Sequence, residues 1–258
     1  MNAKEQRLII FAHPRCGSTS LWRALNIHPL IHLLLEPFHE HREEWGKGVK
    51  NYKHMVHTAG DLRRVIDELY QISTGFKTLF FQLNQEQNEY TLKEADKVIL
   101  LHRMNFLKTA VSTHIALQTN LWAIIENRTQ AKNQEVIRKS IQKQPIKPID
   151  VDALRQMIQD QKQAITHYRN YLAGIHKPFV EMTYEELYAA DRAERKRKIT
   201  DIFKFLELFL PTSRNMENIE FLLSPQRKIN DVETYICVPN IYEVEKRLGS
   251  KENGFLFS

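Results

Sequence analysis

The most chemically suggestive run in the chain is H-P-R-C-G-S-T-S-L, residues 13–21. It follows a short apolar run rich in β-forming residues (7–12) and opens a helical pattern over residues 18–25. In a strand-to-helix turn, successive backbone N–H groups and the helix N-terminus can converge on an anion. Gly17 allows close backbone approach, and Arg15 adds a planar cation. The run therefore predicts an anion-binding loop; the competing interpretation is an ordinary turn with serine caps.

The loop differs from a nucleotide-binding P-loop, which reads G-x-x-x-x-G-K-[ST]. Aligned on Gly17, this chain has Ala12 at the first glycine and Ser18 at the lysine. The lysine that reaches the β- and γ-phosphates is therefore missing, and positive charge comes earlier, from Arg15. Three hydroxyl-bearing residues follow the glycine: Ser18, Thr19 and Ser20. This arrangement disfavours a site that hydrolyses ATP or GTP.

A second junction of the same kind spans residues 98–112, V-I-L-L-H-R-M-N-F-L-K-T-A-V-S. Arg103 directly follows the clearest buried-strand pattern in the chain, and Asn105 is a suitable N-cap for the next helix. Ser112 comes seven residues after that cap, so it returns to the same helix face two turns on. Arg103 and Ser112 can then converge on one phosphate. The alternative is a solvated arginine and a serine bonded to its own helix backbone.

Together the two junctions resemble the sulfotransferase superfamily. P-R-C-G-S-T-S-L is similar to the P-[RK]-x-G-[ST]-T loop that holds the 5′-phosphosulfate of 3′-phosphoadenosine 5′-phosphosulfate (PAPS), and Arg103 with Ser112 resembles the 3′-phosphate site. The string R-x-N-x-L-x-x-A-V-S, followed by Leu121-Trp122, and F-V-E-M-T-Y-E-E-L at 179–187 resemble the bacterial branch typified by trehalose 2-sulfotransferase. The resemblance covers roughly residues 7–40 and 97–210.

The resemblance implies a PAPS-dependent sulfotransferase whose product is 3′-phosphoadenosine 5′-phosphate (PAP) and which needs no metal ion. The acceptor would be a hydroxyl-bearing carbohydrate, glycolipid or small metabolite, and the relatives suggest a homodimer. The implied donor-binding residues are Arg15, Cys16, Gly17, Ser18, Thr19, Ser20, Arg103 and Ser112. Arg15 would also stabilise charge on the leaving phosphate oxygen.

The run L-L-L-E-P-F-H-E-H, residues 33–41, contains two candidates for the catalytic base. Sulfuryl transfer to a hydroxyl needs a group that takes the alcohol proton. In the trehalose-type branch the proposed base is a glutamate in the loop after the second strand, and Glu36 occupies that position here. The competing interpretation is that Glu36 is an ordinary surface residue. His39 is the second candidate, because imidazole exchanges protons near neutral pH.

Further positive charge is expected near the donor. Lys77 lies inside an apolar run, which costs free energy unless the ammonium meets an anion or reaches solvent. Sulfotransferases often carry a lysine in a comparable strand. Their late basic loop often closes over the 3′-phosphate, and Arg227 and Lys228 are the candidates here; a solvated loop explains them equally well.

These residues need a scaffold in which strands and helices alternate. Apolar runs predict strands over 7–12, 31–35, 75–83, 97–102 and 178–183, and helical patterns follow them, among them 61–71, 152–172 and 198–210. This order predicts an α/β fold with a largely parallel central sheet. The resemblance narrows it to a three-layer P-loop NTPase-like fold in one domain, residues 1–258.

Composition excludes several other functions. The chain has 258 residues and a formal net charge of +6, which favours an anionic partner. No apolar run reaches the roughly 18 residues of a membrane span, and two cysteines suit a reducing compartment, so a cytoplasmic protein is expected. The basic run 192–198 lacks interleaved aromatics, which argues against nucleic acid, and the histidine spacing fits no zinc template.

Two alternative functions remain at this point. A P-loop small-molecule kinase would need a loop lysine and an acidic magnesium ligand at a strand end, where this chain has His102 and Arg103. A non-catalytic nucleotide-binding module on the same scaffold would need no base, so the presence of Glu36 argues against it.

Overall fold

The computed structural model describes residues 6–41, 50–122, 139–141, 145–189, 191–224 and 232–257. The chain divides into two compact units. The first consists of Met1–His102 and Ile165–Leu223, and the second of Arg103–Ala164 and Ser224–Ser258. The prediction of a single domain over residues 1–258 stays a prediction beside this division.

The first unit is built on a five-stranded sheet in the order β2-β3-β1-β4-β5. All pairings between these strands are parallel. The strands are β1 Leu8–Ala12, β2 Leu33–Leu35, β3 Gly75–Leu79, β4 Lys97–His102 and β5 Phe179–Thr183. Since parallel strands end at one edge of the sheet, the segments that follow β1, β2, β3 and β4 begin at the same edge.

Helices cover the connections. In chain order they are α1 Ser18–Leu25, α2 Ala59–Ile72, α3 Gln85–Glu94, α4 Phe106–Thr119, α5 Val151–Gly174, α6 Arg192–Phe205, α7 Ser213–Leu222, α8 Val232–Ile236 and α9 Ile241–Leu248. A 3₁₀ turn spans Lys53–Met55, and a π-helical turn spans Glu185–Ala189 directly after β5.

Local sequence explains several helix starts. Capping boxes begin α2, through Thr58 and Asp61, and α3, through Asn84 and Gln87. The Asp191 side chain accepts hydrogen bonds from two first-turn N–H groups of α6. These caps satisfy backbone donors that would otherwise lack partners.

Each unit has its own hydrophobic core. In the first, one face of β1 and β4 packs with apolar side chains of α1, α6 and α7, including Leu21, Leu25 and Phe203. In the second, α4, α5 and α9 contribute buried side chains, among them Leu107 and Val244. β1 is buried at every residue, as its sequence LIIFA requires.

The predicted α/β class with a largely parallel sheet flanked by helices is confirmed, but several bounds differ. The apolar run 75–83 predicted a longer third strand; β3 ends at Leu79 because residues 80–83 turn back, with the Gln82 N–H donating to the Leu79 carbonyl (3.0 Å). The helix predicted over 198–210 runs from Arg192 to Phe205, because Asp191 caps it earlier.

Candidate functional site

The turn between β1 and α1 has the backbone of an anion-binding loop. Arg15 and Gly17 both adopt positive φ angles, 63° and 82°. Gly17 is the N-cap of α1, and as a glycine it has no side chain that could accept from the first-turn N–H groups. Ser18 begins the helix itself. The alternative, a turn in which the Ser18 side chain caps the helix, is therefore wrong. The start of α1 can instead offer N–H donors to an anion.

Tyr188, in the π-helical turn after β5, packs directly under the loop. Its hydroxyl donates a hydrogen bond to the Gly17 carbonyl (2.6 Å), and its ring stacks on Tyr184 with centroids 4.7 Å apart. A Cβ at Gly17 would come within 2.6 Å of the Tyr188 ring. Burial holds the pKa of Tyr188 well above its ordinary value, so the hydroxyl remains a donor. Tyr188 thus supports the loop and requires a glycine there.

Cys16 faces the core. Its Sγ donates to the carbonyl of His13 (2.7 Å), and the side chain is fully buried. Burial raises the pKa of the thiol to about 11, which keeps it protonated. Cys16 can therefore take part in anion binding only through its backbone N–H, while its side chain anchors the turn.

Glu36 is buried at the end of β2 and keeps a strained backbone. Its φ is 44°, a conformation that costs a glutamate about 1 kcal/mol or more and persists only where neighbours enforce it. The Glu36 N–H donates to the Lys77 carbonyl (2.9 Å), and the Glu36 carbonyl accepts from the His39 N–H (3.0 Å). Glu36 is 8 % exposed, so the alternative of a surface glutamate is wrong.

The buried ammonium of Lys77 is paired with an anion, the Glu36 carboxylate. Its Nζ forms a close ion pair with Glu36 Oε1 and lies 3.3 Å from the Thr19 hydroxyl in the loop. Only 2 % of the Lys77 side chain is exposed. The structure therefore brings together three residues predicted from separate parts of the sequence: Thr19, Glu36 and Lys77.

Gln82 completes this cluster and was not predicted. Its Nε2 donates to Glu36 Oε2 (2.6 Å), and its Oε1 accepts from the Thr78 hydroxyl and the Leu79 N–H, both at 3.0 Å. Each oxygen of the Glu36 carboxylate thus has one donor, a cation on one side and a neutral amide on the other. No sequence pattern predicts a role for Gln82, because it lies in a turn within the apolar run 75–83, which was predicted to be a strand throughout.

His39, the second candidate for the base, is half-buried three residues beyond Glu36. Its Nδ1 accepts a hydrogen bond from the His41 backbone N–H (3.1 Å). Because Nδ1 accepts this bond, the neutral ring carries its proton on Nε2, and the lone pair with which His39 would take an alcohol proton already faces the His41 N–H.

A further charged cluster lies at the end of β4. His102 Nε2 lies 2.7 Å from Glu181 Oε1, and Arg169 Nε donates to Glu181 Oε2 at 2.7 Å. The hydrogen bonds from Arg169, assisted by His102, lower the pKa of Glu181, so this carboxylate is ionised. The cluster anchors the residue that directly precedes Arg103, and the sequence pattern did not reveal it.

The part of the second junction from Arg103 onward belongs to the second unit. Arg103 follows β4, and Asn105 is the N-cap of α4, since its Oδ1 accepts from the Lys108 N–H (2.8 Å). The predicted cap is therefore confirmed. Its Nδ2 donates to the Phe255 carbonyl (2.8 Å), which joins the start of α4 to the chain's last described segment. Ser112 is buried on α4.

Some predicted residues cannot be placed. Arg227 and Lys228 lie outside the described residues, as do residues 42–49, among them Trp45. In the part of the chain that is described, no group of three His, Cys, Asp or Glu side chains is arranged to hold a metal ion. Over the same residues, no helix is both long and apolar enough to cross a membrane.

Comparison with known proteins adds no further information about this site. No protein-family model matches the chain, and a search of curated proteins finds no match.

Proposed function

We propose that the protein is a PAPS-dependent sulfotransferase that moves a sulfuryl group to an acceptor hydroxyl. The observation that carries this proposal is the buried Lys77 ammonium, which contacts both the Thr19 hydroxyl in the loop and the Glu36 carboxylate. A fixed cation between an anion-binding turn and a carboxylate suits a reaction in which an anionic donor meets a base.

The loop between β1 and α1 would hold the 5′-phosphosulfate. Arg15 and the backbone N–H groups of residues 16–19 are the donors, and the hydroxyls of Ser18 and Thr19 add to them. The Ser20 N–H donates instead to the Gly17 carbonyl (3.0 Å). A P-loop NTPase-like fold for the first unit belongs to the same proposal. Its support is the position of the loop, after a buried central strand and before a helix, at the carboxyl edge of a parallel sheet.

In the proposed reaction, the acceptor oxygen attacks sulfur in line while the bond from sulfur to the 5′-phosphate oxygen breaks. PAP leaves with the electron pair of that bond, and Glu36 takes the acceptor's proton. Arg15 and Lys77 stabilise the charge that develops on the leaving oxygen, a task that magnesium performs in kinases. Each Glu36 oxygen keeps a lone pair beside its present donor, and the proton is taken there.

The 3′-phosphate is assigned to Arg103 and Ser112, on the basis of their resemblance to the sulfotransferase pattern. A 3′-phosphate contact distinguishes PAPS from ATP and AMP, because neither of these nucleotides carries that group. This part of the proposal is tested separately, by the Arg103→Ala variant, because these residues lie in the second unit.

The kinase alternative receives less support. Ser18 stands where the nucleotide P-loop has its lysine, and β4 ends in His102, which already faces Glu181. A magnesium-dependent kinase needs a carboxylate ligand at such a strand end.

Nucleotide titration tests the proposal directly. PAP, AMP and ATP are titrated calorimetrically into the full chain with and without magnesium. We expect PAP to bind independently of magnesium, and AMP to bind at least about tenfold more weakly, since it lacks the charge-assisted contacts of the 3′-phosphate. Arg15→Ala and Arg103→Ala should weaken PAP binding by a similar factor, whereas the exposed control Arg64→Ala should not. Magnesium-dependent binding of ATP in preference to PAP would overturn the proposal.

Turnover then separates an enzyme from a binding module. Transfer of labelled sulfate from PAPS is measured over a panel of sugars, glycolipids and small alcohols. Glu36→Gln should bind PAP normally and lose transfer, while His39→Ala should retain it. The reverse result would assign the base to His39, and PAP binding without transfer to any acceptor would favour the non-catalytic module.

A further inference from the structure

Gln82 is held in a single orientation by groups that do not belong to the reaction. The Leu79 backbone N–H can only donate, so the amide atom that it meets at 3.0 Å must be the oxygen. The Thr78 hydroxyl donates to the same oxygen. With the oxygen fixed in this way, the amide nitrogen of Gln82 necessarily faces Glu36 Oε2, at 2.6 Å.

The opposite oxygen of Glu36 is held just as firmly. Lys77 occupies Oε1, and both Lys77 and Gln82 are almost completely buried. Two donors on two different oxygens fix the plane of the carboxylate and not only its position. An ionised carboxylate has about four lone-pair sites, so about two remain for an incoming hydroxyl.

We propose that Gln82 is a positioning residue that orients the Glu36 carboxylate for proton transfer; this role rests on the proposed sulfuryl transfer. The orientation is transmitted from the end of β3, through the Leu79 N–H and the Gln82 amide, to the base at the end of β2. A neutral donor suits this role, because it fixes Oε2 without adding a second cation that would weaken the base.

Two substitutions separate orientation from simple packing. Gln82→Met keeps the bulk of the side chain but removes both its donor and its acceptor. Gln82→Glu keeps an acceptor for the Leu79 N–H and places an oxygen against Glu36, so the two carboxylates can remain close only by sharing a proton. Thr78→Val is the matched control, since it removes one bond to Gln82 and leaves the bond from Leu79.

A double-mutant cycle tests the contact without any turnover. Urea unfolding is measured for the wild type, Gln82→Met, Glu36→Ala and the double variant. The loss of the partner for Lys77 occurs in both Glu36→Ala backgrounds and therefore cancels. We expect a coupling of at least about tenfold in the unfolding equilibrium constant, as for a hydrogen bond to a buried charge. Additive effects would show that Gln82 does not hold Glu36 and would overturn the proposal.

Kinetics test the positioning role itself. With the acceptor that the panel identifies, Gln82→Met should lower kcat by about 10- to 100-fold. Its affinity for PAP and its KM for PAPS should stay within about twofold of the wild type. Gln82→Glu should move the acidic limb of the kcat profile to higher pH, and Thr78→Val should retain most of kcat.

The positioning role of Gln82 and the proposed sulfotransferase function can fail separately. If the cycle shows coupling between Gln82 and Glu36 but Gln82→Met keeps the wild-type kcat, the hydrogen bond is purely structural and the positioning role is overturned. A wild type that neither binds PAP nor turns over PAPS would overturn the proposed function and the positioning role together. The cycle would still report whether Gln82 orients Glu36.

Discussion

The ammonium of Lys77 lies against the carboxylate of Glu36, 41 positions away in the sequence, as an ion pair buried at the edge of the sheet. The two residues belong to neighbouring strand ends, since Leu35 pairs with Lys77 in the β2–β3 register. Neither charge is well solvated, so each depends on the other for its stability.

Removing one partner of this pair should destabilise the protein strongly. Lys77→Met leaves the Glu36 carboxylate buried with only a neutral donor, and we expect a loss of about 3–5 kcal/mol in the free energy of unfolding, measured in urea. The Glu36→Gln/Lys77→Met double variant should recover much of that loss, because it removes both charges. The control Lys50→Met breaks a half-exposed pair with Glu68 and should cost less than about 1 kcal/mol. Equal losses in Lys77→Met and Lys50→Met would contradict the burial of the pair.

Gly17 should not tolerate a side chain. Its φ of 82° is strained for alanine, and the new Cβ would come within 2.6 Å of the Tyr188 ring. Gly17→Ala should therefore lose at least about 1 kcal/mol in urea unfolding and weaken PAP binding markedly in calorimetry. Gly174→Ala, at the end of α5, adds a Cβ that meets nothing within 4 Å, and should be neutral or stabilising by up to about 1 kcal/mol. Similar behaviour of the two variants would contradict the loop geometry.

The two cysteines should differ sharply towards a thiol reagent. Cys16 is buried with a pKa raised to about 11, whereas Cys237 is exposed. At pH 8 the native protein should therefore label rapidly at one site, with Cys16 at least about 100-fold slower because so little of it is thiolate. Both should react in urea, and Cys237→Ser should abolish the fast phase. A fast phase that survives in Cys237→Ser would show that the turn opens readily.

Local patterns predicted the parts of the site that lie on one continuous segment. The loop around Gly17 is legible because a strand, a turn and a helix start follow one another within a few residues. The contact of Lys77 with Glu36 depends on β2 pairing with β3, so the sequence could state only that Lys77 needs an anion. Gln82 and Tyr188 carry no pattern of their own; their roles arise only where β3 and β5 end beside the loop.

In the fold, too, the elements with a clear pattern along one continuous segment were the predictable ones. The strands were predictable because their apolar runs are continuous, as in Lys97–His102, which has the bounds that the sequence predicted. Helix α3 had no predicted counterpart, since its sequence QEQNEYTLKE presents only a narrow buried face around Asn88, Thr91 and Leu92. Its capping box, Asn84 with Gln87, was the signal that could have revealed it.

The contribution of His13 to the stability of the protein should depend on pH. The ring is buried beside Phe80, and its Nδ1–H donates to the Pro14 carbonyl (2.9 Å). Burial lowers the pKa of His13 from 6.5 to about 4, against the raising effect of that hydrogen bond, and the charge of His102 lowers it further. The unfolded imidazole therefore takes up a proton as the pH falls below 6.5, while the folded one stays neutral until the pH approaches 4.

Since the unfolded state binds more protons across this window, the contribution of His13 is complete above pH 6.5 and is lost as the pH falls towards 4. Between pH 7 and pH 5 this single group should remove about 2 kcal/mol from the free energy of unfolding. In urea titrations over that range, His13→Gln should show a slope shallower than the wild type by that amount. The exposed control His57→Gln should keep the wild-type slope. If His13→Gln and the wild type lose stability in parallel, His13 is not the buried neutral group that the structure indicates.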